Sequence, residues 1–113
     1  MPPSDESVPA LQRARHEIEQ IDRALVLLVA ARLEAAGSAI RIRTETGGRV
    51  TDPVQEELVL ARARVWAEQA GVPPWLVETI FRATVKAGKE RFVSRPAEQM
   101  PKQAGSPIPV REP

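Results

Sequence analysis

The chain has 113 residues, 42% of them hydrophobic, and 16 basic against 15 acidic side chains leave a net charge of +1. That length and apolar content suit one domain with a small core, and the charge balance gives no bulk pull toward nucleic acid or a membrane surface. Cysteine is absent and His16 is the sole histidine, which excludes a disulfide frame, a thiol nucleophile and a metal cluster of ordinary ligand spacing.

The opening "MPPSDESVP" is polar and acidic, without the apolar stretch of a secretion signal. No run approaches the length needed to span a bilayer, so the expected location is cytoplasmic. Hydrolytic triads, phosphate-binding loops and dinucleotide fingerprints are missing as well. Residues 1–8 read as a flexible N-terminus, 9–93 as a helical domain and 94–113 as a tail.

A first helix is predicted from about Ser7–Ala10 to Arg43 or Glu45, rich in Ala, Leu, Arg, Glu and Gln. Gly37 and Ser38 interrupt it and invite a slight bend. Numbered in heptads from Leu11, one seam position holds Leu11, Ile18, Leu25, Arg32 and Ala39, and the other holds Ala14, Ile21, Leu28, Ala35 and Ile42. Arg32 thus falls on the apolar stripe, with Arg15 and Arg43 on the row beside it. An unpaired charge there costs several kcal/mol unless something compensates it.

"TETGGRV" breaks the helix, with Gly47-Gly48 as the flexible pair. "TDPVQEE" then starts a second one, with Asp52 as N-cap, Pro53 in the first turn and Gln55 as capping-box partner. It should stop at Gly71 in a left-handed conformation. Pro73 and Pro74 open a third helix, whose apolar row is Val77, Ile80, Phe81, Thr84, Gly88 and Phe92. Trp66 and Trp75 read as core or dimer contacts. From Ser94 the chain is proline-rich and aperiodic, the mark of a disordered tail. No segment carries a strand signal, so the fold is all-α.

Roughly 35 helical residues make a rod of about 50 Å, whereas a compact domain of this size has a radius of gyration near about 13 Å. Two helices of about 20 residues each can cover only part of that rod, so the rest of the seam calls for a second subunit in a twofold dimer. Arg32 and Arg43 are about 16 Å apart along the axis, and their side chains could close on a small dianion. Arg15 is about 42 Å from Arg43 on the same rod, but in an antiparallel dimer Arg15 of the partner subunit can reach the gap. Asp52 and Glu56, one turn apart, join from the second helix. Each residue also has a plainer reading. Arg32 could pair with a glutamate inside the bundle, Arg15 and Arg43 could be solvated, Asp52 could be only an N-cap, and Glu56 could simply favour a helix N-terminus.

The run "LQRARHEIEQIDRALVLLVAARLEAA", followed by "RIR", "RVTDPVQEE" and "LVETIF", resembles the all-helical (type II) chorismate mutases from Leu11 to Phe92 without a gap. Its most specific element is the opening Arg-x-x-Ile-x-x-Ile-Asp. The resemblance implies a three-helix chain with one long N-terminal helix in an intertwined homodimer, converting chorismate to prephenate without metal or cofactor.

By the same resemblance, Arg15 acts in trans on one substrate carboxylate and Arg32 binds the other. Arg43 stands where the family usually has a lysine at the ether oxygen. Asp52 lies at the hydroxyl region, Glu56 binds the hydroxyl, and Gln55 occupies a position that is arginine in some members. Two positions depart from the pattern on the third helix. Gly88 takes a place often held by a small polar residue. Phe92 falls where the family has a glutamine or glutamate donor, and a phenyl ring cannot donate. A modest rotation of that helix would bring Lys89 or Arg91 to the site instead. Related activities on the same scaffold are an isochorismate-pyruvate lyase and an aminodeoxychorismate mutase, and a non-catalytic, partner-binding helical dimer is the reading from another class.

Overall fold

The computed structural model describes residues 7–94, which form three helices: α1 (Ser7–Glu45), α2 (Pro53–Ala70) and α3 (Pro74–Ser94). Ser7 and Val8, expected to belong to a flexible N-terminus, are the first residues of α1. Apart from these two and Ser94, the proposed N-terminal segment and tail lie outside the described residues. Among the described residues no helix is long and apolar enough to cross a membrane, and no group of three or more His, Asp or Glu side chains could hold a metal ion.

The chain divides into two units after Ala30. In the first, residues 7–30 are one stretch of α1 with every residue exposed. Its seam side chains are bare: Leu11, Ile18, Ile21, Leu25 and Leu28 are each about half accessible or more. Helix propensity in the Ala, Leu, Arg and Glu run accounts for the local conformation, but no burial within the unit offsets the apolar exposure.

The second unit, from Ala31 on, holds the core. Ile40, Leu60, Ala63 and Ala67 are its buried apolar side chains, joined by Gly37 on α1 and Gly88 on α3. α1 continues through Gly37 and Ser38, and Gly37 faces inward. The buried row on this part of α1 is Gly37 and Ile40, with Leu33 and Ala36 half-buried beside them, while the seam positions Ala35, Ala39 and Ile42 stay exposed. One face therefore packs within the chain, and the seam lies on another. At Gly88 a Cβ would sit 3.3 Å from the Ala36 Cβ, so the absence of a side chain lets α3 approach α1 closely. Trp66 and Trp75, expected to be core or dimer contacts, are 56% and 68% exposed and do not belong to the core of this chain.

The helix ends follow their chemistry. Asp52 caps α2, accepting the Gln55 backbone N–H at 3.1 Å, and Pro53 fills the first turn where no N–H is needed. At the other end Gly71 adopts φ 70°, ψ 25°. There Gly71 N–H bonds the Glu68 carbonyl and Val72 N–H the Ala67 carbonyl, closing a Schellman motif. Glu78 of α3 accepts from Arg64 of α2 at 3.3 Å and from Arg82 at 2.8 Å, a half-exposed cross-brace of modest worth.

Because Gly71 is held in the left-handed region, Gly71→Ala should destabilise the fold by about 1–2 kcal/mol. Denaturant unfolding followed by circular dichroism checks this. An unchanged midpoint would mean that the α2–α3 turn does not depend on that conformation.

Candidate active site

The loop after α1 is built around Arg43. Gly47 takes φ 91°, its N–H bonds the Thr44 carbonyl, and Gly48 N–H bonds the Arg43 carbonyl at 2.8 Å. These bonds make a second Schellman motif. The loop then turns back over the arginine, whose Nε donates to the Arg49 carbonyl at 2.7 Å and whose Nη2 donates to the Val50 carbonyl. A guanidinium carries five N–H donors, so two fix the side chain and three remain. Gly47-Gly48 is thus a fixed support rather than a flexible pair. A Cβ on Gly48 would lie 2.5 Å from Arg43 Cγ and 2.9 Å from its carbonyl oxygen.

Beside this loop, within the second unit, a cavity of about 170 Å³ is lined by Arg32 and Arg43 of α1, Asp52, Gln55 and Glu56 of the α2 start, and Lys89 of α3. Apolar walls come from Ile40, Val50, Val59 and Val85. Five of the residues singled out from sequence therefore meet in one place. Arg15 lies in the first unit, exposed on α1. Gly88 and Phe92 are not among the lining residues, because Gly88 serves the close contact between α3 and α1 and so turns Val85 and Lys89 toward the cavity. Arg91, the other cation considered for α3, pairs with Glu34 of α1.

Arg32 has no carboxylate partner among the described residues. Its guanidinium lies over the Phe81 ring, 5.5 Å from the centroid, a cation–π contact in place of the glutamate pairing of the plainer reading. Burial lowers its pKa from the ordinary arginine value, because an apolar setting disfavours the charged form. Arginine nonetheless stays protonated at any ordinary pH, so the folded chain carries the desolvation cost of the charged form. Arg43 likewise enters none of the ion pairs among the described residues.

Glu56 provides the opposite sign. Its Oε1 accepts from the Lys89 ammonium at 2.9 Å, while its Oε2 is buried without a hydrogen-bond partner. A buried acceptor left bare costs about 1–3 kcal/mol, and a ligand hydroxyl would satisfy it. Asp52 spends one oxygen on the α2 cap and still lines the cavity. The site thus offers planar cationic forks for carboxylates, one hydroxyl acceptor and apolar walls, a set suited to a small oxygenated dianion.

The sequence comparisons agree with that chemistry: residues 14–91 match the family described as chorismate mutase type II. The chain belongs to the type II chorismate mutase family. Over 79 residues it is 34% identical to the T-protein of Enterobacter agglomerans, a stretch covering 70% of this chain and 21% of that protein. Over 73 residues it is 34% identical to the T-protein of Haemophilus influenzae, covering 65% of this chain and 19% of that protein. The chain spans about a fifth of the length of the curated relatives it matches. No solved structure matches it. Two features of this family member were not read from the sequence alone, namely the steric need for Gly48 and the ion pair that fixes Lys89 beside Glu56.

Two outcomes follow. Gly48→Ala must displace the Arg43 side chain or its carbonyl, and should cost about 1–3 kcal/mol of stability together with most of any activity. Denaturation and steady-state kinetics on the same preparation test it, and a fully active variant of unchanged stability would show the loop to be compliant. Arg32→Met should leave the ligand-free melting temperature unchanged or raised while abolishing function. A clear drop in melting temperature would mean that Arg32 is a structural residue.

Proposed function

We propose that this chain is a chorismate mutase of aromatic amino-acid biosynthesis, acting in the cytoplasm as a homodimer. The observation that carries the proposal is one cavity in which Arg32 and Arg43 face inward without carboxylate partners, next to a Glu56 with a bare buried oxygen. The family membership supports the same reading.

The rearrangement of chorismate to prephenate is unimolecular. A C–O bond breaks as a C–C bond forms, and the reaction asks for no nucleophile, metal or proton transfer. A protein accelerates it by holding the folded conformer of a flexible dianion. It also stabilises the partial negative charge that grows on the ether oxygen. In this reading Arg32 binds one carboxylate and Arg15 of the partner subunit binds the other. Arg43, held by the Arg49 and Val50 carbonyls, directs its remaining N–H groups to the ether oxygen. Glu56 Oε2 accepts the ring hydroxyl, with Asp52 and Gln55 alongside.

Dimerisation is part of the proposal because the apolar seam of residues 7–30 is bare. Contiguous exposed apolar surface of this kind marks an interaction site, and a seam of 3.5-residue period is matched by a second copy of the same helix.

The test follows chorismate loss and prephenate formation by ultraviolet absorbance, with the association state measured by sedimentation. Wild type should turn over chorismate as a dimer, and Arg43→Ala should lose about 10²–10³-fold in rate, the usual effect of removing one preorganised donor. No turnover of chorismate by a folded dimer, or salicylate and pyruvate released from isochorismate instead, would overturn the reading.

A further inference from the structure

Lys89 on α3 has no role in the mechanism above, yet it lines the site. Its side chain is about three-quarters buried and its ammonium bonds Glu56 at 2.9 Å. Lys89, Glu56 and Val85 also line a second cavity of about 300 Å³, on whose wall Arg82 and Lys86 lie. The Lys89–Glu56 pair therefore forms part of the wall of both cavities.

Charge makes the lysine more than a neighbour. Arg32, Arg43 and Lys89 line the inner cavity against the carboxylates of Asp52 and Glu56, leaving one positive charge. Without Lys89 the lining would be neutral, and a neutral apolar-walled cavity gives a dianion little reason to leave water. With Lys89 present, Arg15 of the partner subunit raises the excess to two, equal and opposite to the ligand. An ammonium has three N–H donors, of which Glu56 Oε1 uses one.

We propose that Lys89 is a substrate-binding residue of this enzyme, contacting the dianion directly while holding Glu56 so that Oε2 is free for the hydroxyl. The proposal rests on the chorismate mutase reading. It assigns to α3 the donor that Phe92 cannot supply, and the position is reached because Gly88 packs against Ala36 and turns Lys89 inward.

The experiment compares wild type, Lys89→Met, Lys89→Arg and Glu56→Gln, and the Lys89→Met/Glu56→Gln double variant, as full chains with chorismate, with circular dichroism confirming helix content. Lys89→Met should raise KM about 10–100-fold with a smaller change in kcat, the effect expected for losing a charge-assisted hydrogen bond. Lys89→Arg should recover most of the loss, and the defect should persist in the Glu56→Gln background. Active wild type with an unchanged Lys89→Met overturns this proposal and leaves the enzyme assignment standing. A Lys89→Met defect that vanishes in the Glu56→Gln background also overturns it, since Lys89 would then act only through Glu56. Should Lys89→Met fail to fold, failure of Lys89→Arg to reach within tenfold of wild-type kcat/KM would count against the proposal, and success would support it. Inactive wild type overturns the enzyme assignment and this proposal together.

Discussion

A half-buried guanidinium given no carboxylate is the constraint around which the second unit is arranged. Arg32 lies on Phe81 rather than on an acid, and burial opposes its charge. Arg43 is fixed by backbone carbonyls, which accept its hydrogen bonds but leave its charge uncompensated. Both cations face one cavity. A fold that kept them paired would be cheaper to form, but it would have nothing left for an anion. In the proposed reading, that uncompensated charge is what a dianionic ligand would neutralise.

That arrangement explains why the supports are strict while the surface is plain. The Schellman turn at Gly47-Gly48, the cap at Asp52 and the close contact at Gly88 each set the position of one charged group. The first places Arg43, the second orients the start of α2 with Glu56, and the third turns Lys89 toward the cavity. The ion pairs between Glu78 and its two arginines are half exposed. The Arg64 pair braces α2 against α3, and the Arg82 pair lies within α3.

Much of this was legible in the sequence because it rests on local rules. The Asp52-Pro53 start and the Gly71 stop of α2 are set by capping and by glycine's access to positive φ, which depend on a few adjacent residues. The heptad seam and the place of Arg32 on it follow from helical periodicity. The rest depends on tertiary packing. Gly48 looks like flexibility until the Arg43 side chain is seen folded beneath it. The inward turn of Lys89, rather than Phe92, is decided by how near α3 comes to Ala36, and a rotation of that size is invisible in a one-dimensional pattern. Trp66 and Trp75 read as core or dimer contacts, and their exposure takes them out of the core of this chain.

The most direct test of the central claim is a crystal structure of the protein grown with a cyclic, hydroxylated dicarboxylate that mimics the strained dianion. The account predicts one ligand per cavity, its carboxylates on Arg32 and on Arg15 of the partner subunit, and its hydroxyl on Glu56. A ligand bound elsewhere, or a lone chain whose three arginines point into bulk solvent, would contradict it.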